Sequence, residues 1–284
     1  ITNSAAVGNF TINNLIASPA TLTVGSSSGS LAADTTNSRT VTLNGSGSTV
    51  WNAALNLGTT GAMSMTVATA SDATTTLAGT AVPTSTGSFT LTQGSLVIGR
   101  TPSGVVTTNY YFELVQASTV NLNAGSISAS NALTGVNSIQ NPIKLGGTVT
   151  IGGTNAIEFG SATSVALSAS QLLINNNSGG LTMSGATAAI SNTGGYVLTF
   201  AGTGNTTITG VYAAGTGTSG LTNSGSGTVT LSAANLATGA LTASSGVVLL
   251  NGAGTWNAGT IATNPGGTLR LDNTAGSVSR TTGA

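Results

Sequence analysis

Short runs of alternating apolar and small polar residues recur from one end of this chain to the other, with no amphipathic helical pattern between them. They are rich in Val, Ile, Leu and Thr and are bounded mainly by Gly, Asn or Ser; six of them are Thr21–Val24, Thr40–Leu43, Thr148–Ile151, Tyr196–Phe200, Thr228–Leu231 and Thr268–Leu271. A period of two with β-branched residues is typical of a half-buried β-strand. The sequence therefore predicts an all-β fold.

The composition argues against two other kinds of chain. A disordered segment combines low hydrophobicity with high net charge, whereas this chain is 39% hydrophobic and carries no net charge. A membrane-spanning helix needs about 18 consecutive apolar residues, and no such run occurs. The chain opens on ITNSAAVGNF, with no Met and no basic start, so we expect residue 1 to begin a processed or excised segment.

Several fragments repeat at a distance along the chain. VTLNGSGSTVWNA (residues 41–53) is echoed by VLLNGAGTWNA (248–258), GGTVTI (146–151) by GGTLRL (266–271), and GLTN (220–223) by GLTM (180–183). The segments between the predicted strands are mostly short and composed of small residues, which leaves no room for crossover helices. Imperfect repetition of this kind predicts a solenoid, in which each coil lies on the one before it.

We predict a single domain over residues 1–284, an elongated single-stranded parallel β-helix with about 20–25 residues per coil. Like residues would then stack about 4.8 Å apart, with Val, Leu and Ile in a dry core, Asn in amide ladders at the bends, and Thr and Ser outside. Like charges repel at that spacing, and only 4% of the residues are charged. The alternative is a tandem β-sandwich, but Asn-Gly hairpin signals occur only at Asn44–Gly45 and Asn251–Gly252.

The residue types present exclude several classes of function. Because the chain has no His and no Cys, it cannot form thiolate or imidazole metal sites, Cys or His nucleophiles, or disulfides. Five scattered cations at zero net charge do not make a basic face for nucleic acid or for an anionic membrane. We therefore expect neither nucleic-acid binding nor membrane insertion by this segment.

The five carboxylates allow one remote alternative, a carbohydrate-active β-helix enzyme; they are Asp34, Asp72, Glu113, Glu158 and Asp272. The first four are 38, 41 and 45 residues apart, which is near two coils each and would permit a column of acids. Glycoside hydrolysis needs two carboxylates about 5–9.5 Å apart, and no two acids are close in the sequence. We therefore predict no enzyme activity, no catalytic residues, no cofactor and no metal site.

One aromatic cluster, NYYFE at Asn109–Glu113, offers two interpretations. It would serve as a sugar-stacking platform or a docking contact, or it would be a core plug or a strand that widens the coil. We favour the second interpretation, a core plug or a widening strand.

The sequence GLTNSGSGTVTLSAAN (220–235), followed by Thr238–Gly239 and SGVVLL (245–250), carries a family resemblance. It resembles the autotransporter-associated β-strand repeat of large bacterial surface and secreted proteins, whose pattern runs GLTKxGxGTLTLSGxNTYTG; the likeness is clearest over residues 180–275. Asn223 stands where the family has a basic residue, and Asn235-Leu-Ala stands where it has the aromatic segment. The resemblance implies an extracellular β-helical passenger or stalk on a bacterial surface, and it implies no catalytic residues.

Neither end of the chain carries a capping helix pattern: residues 1–20 have strand-like sequence, and Ser277–Ala284 is short and polar. Because bare solenoid ends pair with other chains, either the segment is part of a longer solenoid or copies stack head-to-tail into a homo-oligomer. We predict a non-enzymatic extracellular structural protein, a building block of a surface fibre, sheath or matrix. The alternative is an adhesin or passenger stalk that presents a binding surface to a carbohydrate or a host surface.

Overall fold

The structure, a computed structural model, describes residues 9–26, 30–32, 36–56, 61–79, 84–99, 119–160, 164–257 and 259–274. In these ranges the chain forms 30 β-strands and one short 3₁₀-helix, Gly135–Asn137. Every strand pairing between them is parallel, and each strand pairs with strands of adjacent coils rather than with its neighbour in sequence. The predicted parallel β-solenoid is therefore confirmed, and the tandem β-sandwich is excluded.

The strands, numbered in chain order, stack into three long sheets that form the faces of the solenoid. The first sheet contains β1 (Phe10–Asn13), β4 (Arg39–Gly45), β7 (Met63–Thr69), β9 (Phe89–Gln93), β11 (Val120–Leu122), β13 (Ile143–Leu145), β16 (Val165–Leu167), β19 (Ile190–Asn192) and β22 (Tyr212–Ala214). The second sheet contains β2 (Thr21–Val24), β5 (Ser48–Trp51), β8 (Thr74–Leu77), β10 (Ser95–Ile98), β12 (Ser126–Ala129), β14 (Val149–Ile151), β17 (Gln171–Asn175), β20 (Val197–Ala201), β23 (Gly220–Asn223), β26 (Leu241–Ala243) and β29 (Ile261–Thr263). The third sheet contains β15 (Ile157–Phe159), β18 (Leu181–Met183), β21 (Thr206–Ile208), β24 (Thr228–Leu231), β27 (Gly246–Asn251) and β30 (Gly267–Asp272). Two pairs complete the set: β3 (Ser30–Ala32) with β6 (Ala54–Asn56), and β25 (Ala234–Asn235) with β28 (Thr255–Trp256).

The core is built from the inward residue of each alternating pair. In the first sheet Val41, Met65, Phe89 and Val120 lie opposite one another in successive coils, and each is 0% exposed. Side chains that point to alternate faces of a strand stack in columns when the strands are parallel and in register. The column removes apolar surface from water in every coil, which is the main stabilising contribution to such a fold.

The number of residues per coil varies more than predicted. Val229 lies opposite Val248, 19 residues later, whereas Phe89 lies opposite Val120, 31 residues later. The strands keep their register in both cases, so the ladder of backbone hydrogen bonds does not require coils of equal length.

Buried Asn side chains at corners bind the main chain rather than forming the predicted amide ladders. Asn14, Asn175 and Asn223 are all buried, and in each the amide oxygen accepts a hydrogen bond from the backbone N–H two residues later. Their amide nitrogens donate to carbonyls of the following coil, those of Ser48 (2.8 Å), Asn205 (2.8 Å) and Val247 (2.9 Å). A corner leaves backbone groups without ladder partners, and an amide can satisfy both a donor and acceptors there.

The repeated fragments lie on different faces of the solenoid. VTLNGSGSTVWNA runs from β4 in the first sheet to β5 in the second, whereas VLLNGAGTWNA runs from β27 in the third sheet to β28. The repeated unit is therefore a strand–corner–strand segment, not a whole coil. Gly45 in the first copy has φ +101°, and a Cβ there would lie 2.1 Å from the carbonyl oxygen of Asn14, so this corner requires glycine.

Candidate functional site

The three carboxylates in the described ranges lie far apart. Asp72 occupies the corner between β7 and β8, Glu158 points outward from β15, and Asp272 ends β30. Asp72 and Glu158 lie on different parts of the coil, so these two do not form a column. Five strand steps separate β15 from β30 in the third sheet, about 24 Å at the usual strand spacing. Asp34 and Glu113 lie outside the described residues.

The hydrogen bonds of Glu158 and Asp272 are made within the fold. Glu158 Oε2 accepts a hydrogen bond from the backbone N–H of Gly135 at 2.7 Å, and Oε1 accepts one from the hydroxyl of Ser184 at 2.5 Å. Asp272 Oδ1 accepts one from the N–H of Thr274 at 3.0 Å. Glu158 thus connects the 3₁₀-helix segment to the following coil, which is a structural role. Among the described side chains, no group of three or more His, Cys, Asp or Glu lies close enough to hold a metal ion.

The tryptophans do not present a sugar-stacking surface. Trp51 and Trp256 are buried, and their indole N–H groups donate to the carbonyls of Ala53 (2.5 Å) and Gly239 (2.8 Å). The cluster at residues 109–113 lies outside the described residues, so its two interpretations both remain predictions.

Tyr212 of β22, the last strand of the first sheet, makes a buried polar contact. Its hydroxyl accepts a hydrogen bond from the amide of Asn192 and donates one to the carbonyl of Gly220, both at 2.9 Å. Its ring meets that of Trp256 edge-on, with centroids 5.5 Å apart. Burial raises the pKa of Tyr212 to about 12, and the hydrogen bond from Asn192 only partly offsets this. The hydroxyl is therefore protonated at neutral pH, and its hydrogen bonds are made to buried groups of the fold.

An apolar cavity of about 360 Å³ lies at the N-terminal end of the core. We call it the N-terminal cavity; its lining comprises Phe10, Ile12, Leu22, Thr23, Val24, Gly25, Leu31, Trp51 and Ala53. The inward residues of β1, β2 and β3 that line it are only half-buried, while Trp51 in the next coil is 1% exposed. The lining offers no titratable group, so this site can bury apolar groups but has no residues for acid–base chemistry.

The last coil, formed by β28, β29 and β30, also has an incompletely covered core. Ile261 and Leu269 are half-buried and pack against the core, and Leu271 is 53% exposed. The corresponding residues one coil earlier, Leu241 and Val248, are 0% exposed. In the ranges that the structure describes, the strands of both end coils pair on one side only. The candidate functional site is therefore this pair of incompletely covered ends.

The comparisons with known proteins give no relative: no family model, no curated protein and no solved structure matches this chain. The resemblance to the autotransporter-associated repeat accordingly stays a prediction. No helix in the described part of the chain has the length and apolar character needed to cross a membrane.

Sequence reasoning predicted ends without a capping helix, and it did not find the N-terminal cavity. Leu22 and Val24 belong to a predicted strand, and their alternation with Thr indicates which side chains face inward. The cavity also depends on Leu31, which comes from another face, and on Trp51, which comes from the next coil. Their convergence is a property of the coil path, for which the sequence carries no local pattern.

Proposed function

We propose that this chain is a non-enzymatic structural protein of a bacterial cell surface, a building block of an extracellular fibre, sheath or matrix whose copies stack head-to-tail. The observation that carries the proposal is the half-exposed apolar core at both end coils, where the equivalent residues of the inner coils are fully buried. Covering such apolar surface with another chain is favourable because it removes the surface from water. The extracellular placement rests on the family resemblance.

The backbone at the ends supports the same proposal. An edge strand presents a row of N–H and C=O groups that can pair with another chain. Among the described residues, the strands β1, β2 and β3 of the first coil and β28, β29 and β30 of the last coil pair on one side only. Contact between unlike ends is a heterologous interface, and such an interface repeats into an open filament when it does not close into a ring.

Head-to-tail stacking also preserves the strand direction found throughout the molecule. When the last coil of one copy meets the first coil of the next, the chain path advances in the same sense and each new strand pair is parallel. All pairings within the described chain are parallel. Stacking of like ends would instead bring strands together antiparallel, so the arrangement that continues the existing ladder is head-to-tail.

The charge distribution favours packing of many copies. The chain has five cations and five anions in 284 residues, so stacked copies meet little like-charge repulsion. The separate positions of Asp72, Glu158 and Asp272, and the structural hydrogen bonds of the latter two, favour a structural role over glycoside hydrolysis, which needs a close carboxylate pair.

Electron microscopy of the purified chain over a range of concentrations tests the proposal, together with fibre diffraction from aligned samples. We expect filaments of uniform width that lengthen with concentration and give a reflection at about 4.8 Å along the filament axis. Separate rods of one length at every concentration would overturn the stacking proposal and would favour the passenger-stalk alternative.

A further inference from the structure

The N-terminal cavity has the shape and chemistry of a receptor for apolar side chains. Side chains from β1, β2 and β3 line it, and Trp51 of the next coil contributes to the lining. It contains no charged side chain, and its outward-facing polar residue, Thr23, is exposed at the rim. A ligand of this cavity should therefore carry apolar side chains on a backbone that can also hydrogen-bond to the edges of β1, β2 and β3.

The last coil of the same chain meets both requirements. It presents Ile261 from the second sheet and Leu269 from the third sheet, each half-buried at the end of the core, while Trp256 of the strand β28 is buried within the core. These three faces occur in the same order as β1, β2 and β3 in the first coil. At the second and third faces, a half-buried apolar residue on one end therefore has a half-buried apolar counterpart on the other.

We propose that the N-terminal cavity binds the last coil of a second copy, with Ile261 opposite Leu22 and Leu269 opposite Leu31. This inference rests on the proposed function and names the residues that carry the contact. This contact would extend the columns of stacked apolar residues from one copy into the next. Within one copy, Leu221, Leu241 and Ile261 form such a column in the second sheet.

The corners select this register. With Ile261 opposite Leu22, Thr263 lies opposite Val24, and the corner beginning at Asn264 falls opposite the corner at Gly25. A shift by one residue would turn the apolar side chains outward, and a shift by two would set a corner against a strand. Gly25 has φ +78° and lies at a close approach to the next coil, so its corner has little freedom to move.

Charge does not oppose the contact. The described residues of the first coil, 9–26 and 30–32, include no charged side chain. The last coil carries Arg270 and Asp272, one of each sign. The interface then depends on apolar burial and backbone pairing, and we expect its strength to depend only weakly on salt.

Two blocking variants test the assignment. L22K places a cation in the N-terminal cavity, and I261K places one on the apolar side of the last coil. Each should raise the concentration needed for assembly by about tenfold or more, because an unpaired charge would have to be buried. T21K and A262K carry the same charge on the outward side of the same strands, and we expect them to assemble like the unmodified chain.

A mixture of the two blocked chains separates head-to-tail contact from other contacts. L22K retains an intact last coil and I261K retains an intact cavity, so the mixture should form dimers and stop there. Analytical ultracentrifugation measures this outcome. Filaments formed by either blocked chain alone would overturn the inference while leaving end-to-end assembly in place, whereas an unmodified chain that stays monomeric would overturn the proposed function itself.

Engineered cysteines give a second test that leaves the cavity lining apolar. The chain has no native Cys, and the proposed register places Ala262 of one copy opposite Thr23 of the next. Adjacent strands lie about 4.8 Å apart, within the Cα separation of about 4.4–6.8 Å that a disulfide spans. We expect the T23C/A262C double variant to form a ladder of covalent oligomers under mild oxidation. Dimers of T23C alone or of A262C alone at comparable yield would show contact between like ends and would overturn the inference.

Discussion

The corner amide of Asn223 is expected to contribute more to stability than its size suggests. Its side chain is 2% exposed, and Nδ2 donates to the carbonyls of Gly227 and Val247, both at 2.9 Å. Oδ1 accepts a hydrogen bond from the N–H of Gly225 at 3.2 Å. One side chain therefore satisfies three backbone groups, including one in the following coil.

The cost of N223A follows from those three bonds. Each buried backbone group that loses its partner costs about 1–3 kcal/mol, and the truncated side chain adds a small cavity. Because neighbouring losses do not add fully, we expect N223A to lower the free energy of unfolding by about 3–5 kcal/mol. Asn264 is a matched control, since it is an exposed corner Asn whose amide donates to Ser244 Oγ at 3.1 Å, and N264A should cost about 0.5 kcal/mol or less.

Urea unfolding followed by tryptophan fluorescence measures the two costs, and hydrogen exchange at residues 220–251 locates them. In N223A, exchange should accelerate first at the amides around Gly225 and Val247, because these lose their fixed corner. The isosteric N223D adds a pH test: burial raises the pKa of the introduced carboxyl in the folded state above its unfolded value. The stability of N223D should therefore be highest in acid, where the group is protonated, and fall as the pH rises. Equal costs for N223A and N264A would refute the reasoning that corner amides hold successive coils together.

Three further predictions concern single groups in the core and corners. Burial raises the pKa of Tyr212 to about 12. The protonated hydroxyl therefore contributes about 2–3 kcal/mol to the free energy of unfolding below about pH 10, and this contribution is lost as the pH rises toward 12. In urea titrations, the loss of stability at alkaline pH should be smaller by that amount in Y212F. Thr75 Oγ1 is buried without a hydrogen-bond partner in the structure, so T75V should raise the midpoint of thermal unfolding, with a gain of about 1 kcal/mol. Gly125 has φ +91°, and a Cβ there would lie 2.4 Å from the carbonyl oxygen of Gly94, so G125A should destabilise by about 2 kcal/mol or more in urea. G152A, where nothing lies within 4 Å of the added Cβ, should be within about 0.5 kcal/mol of the unmodified chain.

Each of these has an outcome that contradicts it. An identical alkaline loss in Y212F would show that this hydroxyl does not titrate differently in the fold. Destabilisation by T75V would mean that the hydroxyl is satisfied, for instance by a buried water. A neutral G125A would mean that its corner can relax away from the carbonyl of Gly94.

Much of the strand content could be predicted from the sequence because a strand's signal is local. The prediction at Thr21–Val24 coincides with β2, and that at Thr228–Leu231 coincides with β24. In both, the alternation of Thr with Val or Leu specifies which side chains face inward, since successive side chains point to opposite faces. The absence of helical periodicity argued against helices, and the imperfect repeats together with the scarcity of Asn-Gly turns favoured stacked parallel strands over hairpins.

The corner chemistry was predicted only in part. Asn was expected at bends, where its amide would bind other Asn amides in a ladder. Instead, Asn14, Asn175 and Asn223 bind backbone groups of the following coil. Those acceptors lie 34, 30 and 24 residues away, at separations that change with the length of each coil. No fixed spacing in the sequence marks such partners.

The sequence by itself determined the strands and their inward faces, because both follow from a period of two. Its low content of charged residues also favoured a fold in which like residues stack on one another. Only the tertiary structure decided which face each repeat occupies, as shown by the two NGxG fragments that begin on β4 in the first sheet and on β27 in the third. It also brought Leu22, Leu31 and Trp51 together at the N-terminal cavity. The physical reason is that strand patterning depends on neighbours two residues apart, whereas the position of a strand around the coil depends on the summed lengths of all the corners before it.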